Sequence, residues 1–216
     1  MVKVIFFLAC CCLLFGRSSG QDSLHVGVNT NIRALSIPQA GHWWFGGSKG
    51  WLGHSADCGK TWVLRQPLGN LPDYRSLHAF NETEAVAAVA GKPAVILRTE
   101  DGGRSWEEVF SHPDSTAFFD GFGFWNEREG VLFGDPLPDG RLLLLHTKDA
   151  GKSWQTAVDS SRPLFAPGEA AFAASGTSLQ CVGDSTVALV SGGSVRRLWY
   201  SRNRGRSWEF AAGNKP

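Results

Sequence analysis

The sequence lacks a strong net charge. It has 21 Lys and Arg residues against 20 Asp and Glu residues, and its formal net charge is +1. No basic run interrupts this balance, whereas proteins that bind nucleic acids or anionic membranes carry basic patches. The six histidines show no metal-ligand spacing, and no dinucleotide-binding fingerprint is present. We therefore expect no nucleic-acid partner, no metal and no cofactor.

Cysteines and long apolar runs are also scarce. Three of the five cysteines are adjacent at positions 10–12, which leaves only Cys58 and Cys181 and excludes a disulfide scaffold. The one long apolar run, 4–15, follows Lys3 and precedes the small residues 18–20. This order predicts a signal peptide over 1–20 that is cleaved near Gly20-Gln21, and hence a secreted or periplasmic protein. The run is shorter than the roughly 20 residues of a membrane span, so we expect no transmembrane segment in the mature chain, 21–216.

Four segments of the remaining chain share one pattern, Ser/Thr-x-Asp-x-Gly-Lys/Arg-Ser/Thr-Trp. They occupy 55–62, 99–106, 147–154 and 201–208, and Asn replaces Asp in the last copy. Repeats of this spacing indicate an array of similar structural units. The residues with assigned structural roles are Asp57, Gly59 and Trp62, Asp101, Gly103 and Trp106, Asp149, Gly151 and Trp154, and Asn203, Gly205 and Trp208.

Each part of this box has a physical role. Asp or Asn is expected to accept a backbone N–H bond from two residues further on, which closes a turn, and Gly supplies a positive φ. Trp begins the next strand and offers a large surface for packing between units. We therefore predict that Trp106 and Trp154, which have repeats on both sides, are buried between neighbouring units.

The sequence around the boxes predicts four short strands per unit. An apolar strand precedes each box, at 50–54, 94–98, 142–146 and 195–200, and another follows each Trp, as at 106–111. Two further strands lie upstream, at 74–80 and 84–90, at 118–125 and 130–134, and at 170–175 and 186–191. This is the pattern of an all-β propeller with four-stranded blades, about four of which are present. Residues 24–28 could form a strand of a further blade. We expect Gly134-Asp135-Pro136 to form a turn.

The expected ring is incomplete or truncated, although closure at four blades is the alternative. In an open arc the blades that carry Cys58 and Cys181 would be too far apart for a disulfide, so the sequence predicts two free thiols.

The box resembles the Asp-box, or BNR, repeat of sialidases, sortilin-like receptors and other propellers. Longer stretches resemble a bacterial branch of the photosystem II stability/assembly factor-like family. They are 117–120, Phe124-Trp125, Gly134-Asp135-Pro136 with 139–141, and 167–177. The resemblance implies a non-catalytic scaffold that binds another protein, as the plant and cyanobacterial members bind a membrane-protein subunit.

Superposition of the repeats suggests where a ligand would bind. The innermost strand of each blade lines the central channel, and its entrance would include Arg33, Arg75, Asp120 and Glu169. Two guanidinium groups and two carboxylates there could bind a protein or a polar or anionic ligand. The alternative is that they pair with one another and with the backbone.

Two other functions stay open. A glycosidase would need two carboxylates, such as Asp120 and Glu169, at one of the separations that glycoside hydrolysis requires. Sialidase chemistry fits poorly, because the family's Arg motif is absent and the only tyrosines are Tyr74 and Tyr200. The other possibility is an inactive fragment of a longer propeller. We predict no catalytic residue.

Overall fold

The computed structural model describes residues 25–173 and 177–212. The predicted signal peptide, its cleavage site and residues 174–176 lie outside the described residues. Among those that are described, no helix is long and apolar enough to cross a membrane.

The chain folds into four antiparallel four-stranded sheets, and each sheet is one blade. The first blade contains β1 (Ile32–Gln39), β2 (His42–Gly47), β3 (Leu52–Ser55) and β4 (Val63–Arg65). The second contains β5 (Asp73–Ala79), β6 (Ala85–Ala90), β7 (Val95–Thr99) and β8 (Glu107–Ser111). The third contains β9 (Phe119–Phe124), β10 (Gly130–Pro136), β11 (Leu142–Thr147) and β12 (Gln155–Thr156). The predicted all-β propeller fold is confirmed.

The fourth blade differs from the prediction in its inner strand. Its sheet contains β14 (Leu179–Val182), β15 (Thr186–Val190), β17 (Arg197–Ser201) and β18 (Glu209–Ala212). A 3-10 helix (Asp159–Ser161) and a separate ladder of β13 (Glu169–Ala170) with β16 (Gly192–Gly193) lie outside this sheet. The prediction of an inner strand over 170–175 is therefore wrong for its described part, since the inner strand is β14, and residues 174–175 lie outside the described residues. The interval between the third and fourth boxes is the longest of the three, and the ladder pairs the segment before the blade with the connection between β15 and β17.

Two smaller predictions are also wrong. Described residues 25–28 form no strand, so they do not begin a further blade. The segment Gly134-Asp135-Pro136, which resembles a turn in the sequence, forms the end of β10, where a register shift between Gly134 and Pro136 accommodates the proline.

Each Asp box forms the turn between the third and fourth strands of its blade. In the first box, Ser55 Oγ accepts hydrogen bonds from the N–H groups of Asp57 (3.3 Å) and Gly59 (2.8 Å). The Asp57 carboxylate accepts from Thr61, through Oδ1 from the N–H (2.8 Å) and through Oδ2 from the hydroxyl (2.7 Å). The second and third boxes repeat this pattern.

The predicted turn is thus correct in position but wrong in its bonding. The carboxylate accepts from four residues on, and the Ser or Thr hydroxyl accepts from two residues on. Two consecutive residues with positive φ, Cys58 (59°) and Gly59 (82°), fold the chain back over the carboxylate. Left-handed backbone is confirmed at the box glycines, and the residue before each of them adopts it too.

The core lies between blades. At the first interface, Trp44 and Leu52 pack against Tyr74, Leu77 and Leu97. At the second, Ala88 and Ile96 pack against Phe119, Leu132 and Leu143. At the third, Phe133 and Leu144 pack against Leu179, Leu189 and Trp199. Among the described residues, strand contacts join the first blade to the second, the second to the third and the third to the fourth, but no comparable contact joins the fourth to the first. These four blades therefore form an open arc.

The box tryptophans pack towards the preceding blade. Trp154 is only 6% exposed, as predicted: it belongs to the second interface with Ala88 and Ile96 of the preceding blade, and its ring also packs with Phe122 and Phe124 of its own blade. The prediction of full burial is wrong for Trp106, which is half-buried. Its ring meets the edge of Trp44 at a centroid distance of 6.2 Å, while the face of Trp44 is covered by His54 at 4.0 Å. Because His54 covers the face of Trp44, that face is not available to bury Trp106.

A second contact joins each box to the preceding blade, and we call it the box clasp. The residue directly before one box contacts the backbone of the next box. His54 Nδ1 donates to the Gly102 carbonyl (3.0 Å), and Arg98 Nε donates to the Ala150 carbonyl (3.1 Å). His146 packs so close to Gly205 that an added β-carbon would lie 3.0 Å from its ring.

The two cysteines that the structure describes are unpaired, which confirms the prediction of free thiols. Cys58 is exposed, and Cys181 is half-buried beside the third interface. Burial raises the pKa of Cys181 to about 12.

The burial of the box tryptophans leads to a stability prediction. Trp154→Ala should lower the free energy of unfolding by about 3–5 kcal/mol, because it leaves a cavity between blades. Trp106→Ala should cost less, about 1–3 kcal/mol, because part of that ring is already in water. Denaturant unfolding of both variants checks this order, which equal losses would contradict.

The box hydrogen bonds lead to a second prediction. Asp101→Ala removes the acceptors for Ser105 and should cost about 1–3 kcal/mol. Asp101→Asn should cost under about 1 kcal/mol. The fourth box shows why: Asn203 Oδ1 accepts from the Ser207 N–H and its Nδ2 donates to the Ser207 hydroxyl, both at 2.9 Å. Chemical unfolding of the pair decides it, and an Asn variant as unstable as the Ala variant would refute this account of the turn.

Candidate functional site on the inner strands

One edge strand of each blade lies at the inside of the arc. These strands are β1, β5, β9 and β14, and each contacts the next along the arc. They do not pair as a continuous sheet. Instead, Ser36 Oγ in β1 accepts the Ala79 N–H of β5 (3.0 Å), and Ser76 Oγ in β5 accepts the Phe122 N–H of β9 (3.0 Å). Serine hydroxyls thus satisfy edge donors that a neighbouring strand would otherwise bind.

Charged residues gather where these inner strands begin. Asp73, the first residue of β5, lies 3.1 Å from Arg75 Nε and 3.8 Å from Arg33 Nε, both measured to its Oδ2 atom. The side chains of Arg33 and Arg75 remain 44% and 37% exposed. Both guanidinium groups are therefore held by one carboxylate and still face solvent.

A buried carboxyl group, Asp120, and a half-buried one, Asp135, continue this group into the third blade. Asp120 in β9 is 4% exposed, and its Oδ2 makes no hydrogen bond to any described residue. Burial, and to a smaller extent the nearby charge of Asp135, raise the pKa of Asp120 to about 8 against the opposing charge of Arg75. Burial also raises the pKa of Asp135, whose Oδ1 likewise has no partner in the part of the chain that the structure describes.

We name these five residues, Arg33, Asp73, Arg75, Asp120 and Asp135, the inner cluster. The structure brings together three of the four residues that the sequence places at the channel mouth: Arg33, Arg75 and Asp120. Sequence reasoning missed two members. Asp73 lies two residues before Arg75 on the same strand. Because side chains alternate along a strand, residues two apart lie on the same side, and this spacing could have identified Asp73. Asp135 was hidden in the segment mistaken for a turn.

Glu169 does not join the inner cluster. Its side chain is fully buried in the fourth blade, where it pairs with Arg197 (2.8 Å). It also accepts hydrogen bonds from the Ser191 hydroxyl, from Trp199 Nε1 (3.0 Å) and from the Ala166 N–H (2.9 Å). Burial would raise the pKa of Glu169, but these bonds and the Arg197 charge outweigh it and lower the pKa. The carboxylate anchors the β13 segment to the blade.

The tyrosines that sialidase chemistry would require lie away from the inner cluster or out of reach of substrate. Tyr74 is fully buried between the first two blades, and burial raises its pKa. Tyr200 lies in β17, two strands from the inner edge, and its hydroxyl donates to Glu209 (2.6 Å). Within 25–173 and 177–212, no group of three His, Cys, Asp or Glu side chains is placed to hold a metal ion.

The raised pKa of Asp120 should make the folded chain less stable as the pH rises. The folded chain keeps this proton up to a pH of about 8, whereas an unfolded chain releases it near about pH 3.9. The unfolded state thus binds fewer protons between these values, and the free energy of unfolding falls as pH rises. We expect the wild type to lose up to about 1.4 kcal/mol per pH unit between about pH 6.5 and 8, and Asp120→Asn to lose much less.

Urea unfolding over that interval measures the difference. Burial lowers the pKa values of His54, His78 and His146, and their contribution is the same in the wild type and in Asp120→Asn, so it cancels in the difference between the two pH profiles. Asp184→Asn, at an exposed position, is the matched control and should follow the wild type. Parallel pH profiles for Asp120→Asn and the wild type would show that Asp120 is ionised in the folded chain.

Comparisons with known proteins agree with this architecture. The family model for photosynthesis system II assembly factor YCF48 matches residues 17–114, a little under half of the chain. No curated protein sequence matches the chain significantly.

Solved structures share the fold at low sequence identity. A structure of YCF48 bound to D1 peptide is 16% identical, with a TM-score of 0.51 over 88% of this chain and 71% of that one. YCF48 from Cyanidioschyzon merolae is 15% identical, with a TM-score of 0.57 over 88% of this chain and 59% of that one. A GH74 enzyme from Niastella koreensis is 10% identical, with a TM-score of 0.57 over 83% of this chain but only 30% of the enzyme.

The chain therefore spans only part of each of these structures. The four boxes, the four blades and these matches together identify it as an Asp-box, or BNR-repeat, β-propeller protein similar to the YCF48-like assembly-factor family.

Proposed function

We propose that the chain is a non-catalytic binding scaffold and that the inner cluster holds a polypeptide segment bearing a carboxylate. The observation that carries the proposal is the position of the two half-exposed guanidinium groups of Arg33 and Arg75 next to carboxyl oxygens that have no described partner. Such a site is built to complete its hydrogen bonds with a ligand.

The chemistry of the inner cluster suits a peptide. A guanidinium group binds a carboxylate through two parallel hydrogen bonds, so Arg33 and Arg75 can orient an acidic side chain or a chain terminus. Oδ1 of Asp73, Oδ2 of Asp120 and Oδ1 of Asp135 have no described partner but are buried, so the half-exposed guanidinium groups are the part of the inner cluster that contacts the ligand.

The comparisons support a protein partner. One structure with this fold is that of YCF48 bound to D1 peptide. We extend peptide binding, though not that particular peptide, to this chain. The predicted signal peptide supports export, so we propose that the chain is secreted or periplasmic and that its partner is exposed in the same compartment.

A hydrolase is the second candidate, because GH74 enzymes share the fold and one carboxyl group, Asp120, has a pKa near that of a general acid. Two observations weigh against it. Asp120 is 4% exposed, so its carboxyl group is withdrawn from a substrate. Glu169, the other proposed carboxylate, is fully engaged in the fourth blade.

Peptide selection tests the binding proposal. Peptides selected from a random library on the purified chain should carry an Asp, a Glu or a free C-terminal carboxylate. Arg33→Ala and Arg75→Ala should each weaken binding of a selected peptide about tenfold or more, because each removes a charge-assisted hydrogen bond. Fluorescence polarisation with the labelled peptide gives the dissociation constants.

Arg128→Ala is the matched control, since Arg128 is exposed and lies outside the inner cluster. Peptides without a carboxylate, or equal losses for Arg128→Ala and Arg75→Ala, would exclude the inner cluster as the site. Release of reducing sugar from xyloglucan, the substrate named for a GH74 xyloglucanase of the same fold, would favour the hydrolase if Asp120→Asn abolished it.

A further inference from the structure

The first and last blades each present one sheet face that no described residue covers. On the fourth blade, Val182, Val190 and Leu198 are exposed, and we call this surface the leading face. On the first blade, Leu35 and Ile37 of β1 are exposed, and we call this surface the trailing face. Seven of the large exposed hydrophobic side chains lie on the strands of these two blades, three on β1 and four on the fourth blade.

The repeat shows what normally covers the leading face. Three residues before each box stands an apolar side chain that points to the following blade. At the first three boxes these residues are Leu52, Ile96 and Leu144, which are buried in the first, second and third interfaces in turn. Leu198 holds the same position before the fourth box and is 45% exposed. The leading face is therefore an interface surface that no described blade covers.

The trailing face is the complementary half of the same interface. Leu35 pairs with Phe45, ten residues before the first box, as Tyr74 pairs with Val89, ten residues before the second. Tyr74 is fully buried against the preceding blade, whereas Leu35 is 63% exposed. Trp62, the first box tryptophan, has no described preceding blade to pack against, and it contacts Phe45 of its own blade.

The positions that form the box clasp also occur on these two faces. Tyr200 stands directly before the fourth box, where His54 and Arg98 stand before the first two and donate to the next box. The acceptors of those two bonds are the carbonyls of Gly102 and Ala150, and the same position in the first box belongs to Cys58. Cys58 shares the left-handed backbone of Gly102 and Ala150. The Tyr200 hydroxyl donates to Glu209 of its own blade, so the correspondence is one of position: the tyrosine on the leading face matches the Cys58 carbonyl beside the trailing face.

The charged residues that the two faces would bring together match a pair already present at the third interface. Contact between them would bring Arg202 of the fourth box towards Lys60 of the first. The same pair of box positions holds Lys148 and Arg206 at the third interface, where both cations act on His146 and lower its pKa after the larger effect of burial. The fold therefore accommodates two cations at this position.

We propose that a second copy of this chain docks head to tail, with the leading face of one copy packed on the trailing face of the other. The contact repeats the interface between neighbouring blades, and Tyr200 of one copy meets the Cys58 carbonyl of the other. Because the two faces differ, the contact is heterologous: it closes a ring if the rotation permits and extends as an open filament if it does not.

Sedimentation velocity over a concentration series tests the proposal on the purified full chain. The wild type should rise from the mass of one copy to that of two or more. Leu35→Lys and Leu198→Lys should each stay at one copy, because either substitution places a charge in the only contact. Leu71→Lys, at a position that is 91% exposed and on neither face, should associate like the wild type.

Mixing the two variants separates the docking mode from a folding defect. Leu35→Lys keeps an intact leading face and Leu198→Lys an intact trailing face, so an equimolar mixture should form a complex of two copies. A photoreactive benzophenone side chain at position 200 should also cross-link to the segment around Cys58 of another copy.

Three results would overturn the proposal. They are a wild type that stays at one copy throughout, a variant mixture that stays at one copy although both variants fold, and association of either variant alone. The last result would indicate contact between two like faces.

Discussion

The structure depends on how each Asp box reverses the chain between the third and fourth strands of a blade. A Ser or Thr hydroxyl and an Asp carboxylate hold two left-handed residues in place, and one of these residues offers its carbonyl to the preceding blade. The same turn therefore shapes its own blade and attaches it to another. This double role explains why the box repeats so strictly while most of the surrounding sequence varies.

The carboxylates of the boxes and those of the inner cluster stand in opposite environments. The Thr61 hydroxyl, the Thr61 N–H and the Ser55 hydroxyl stabilise the ionised form of Asp57 and hold its pKa at about 2. Asp120 is buried without comparable donors, and its pKa is raised to about 8. On the outer turns, hydrogen bonds to the charged form lower the pKa of a carboxyl group, whereas on the inner strands desolvation raises it. The Asp57 carboxylate finds its hydrogen-bond donors within its own turn, whereas the inner cluster contains carboxyl oxygens without a described partner.

The sequence was sufficient to predict the blades because their signals are local and repeated. The box, the apolar strand before it and the tryptophan after it recur at similar intervals, so the four-stranded blades follow from pattern alone. The same reasoning failed at Glu169, where additional residues shift the inner strand to Leu179–Val182 and no repeat marks the shift. It also failed at Asp135, because whether a Gly-Asp-Pro segment turns or continues a strand depends on its tertiary neighbours. Residues that converge from different blades have no common sequence signal.

The serine contacts between inner strands have a consequence for how the protein behaves in a crowded solution. An exposed strand edge with free N–H groups invites pairing with other chains, which leads to aggregation. Ser36 and Ser76 occupy such donors with side-chain oxygens of the neighbouring blade, so the inner edges offer fewer free donors to a foreign strand. The opposite edge of each blade is short, from two residues in β12 to five in β8. The arc thus limits indiscriminate strand addition at both edges, and its exposed apolar surface is left for partners that recognise side chains.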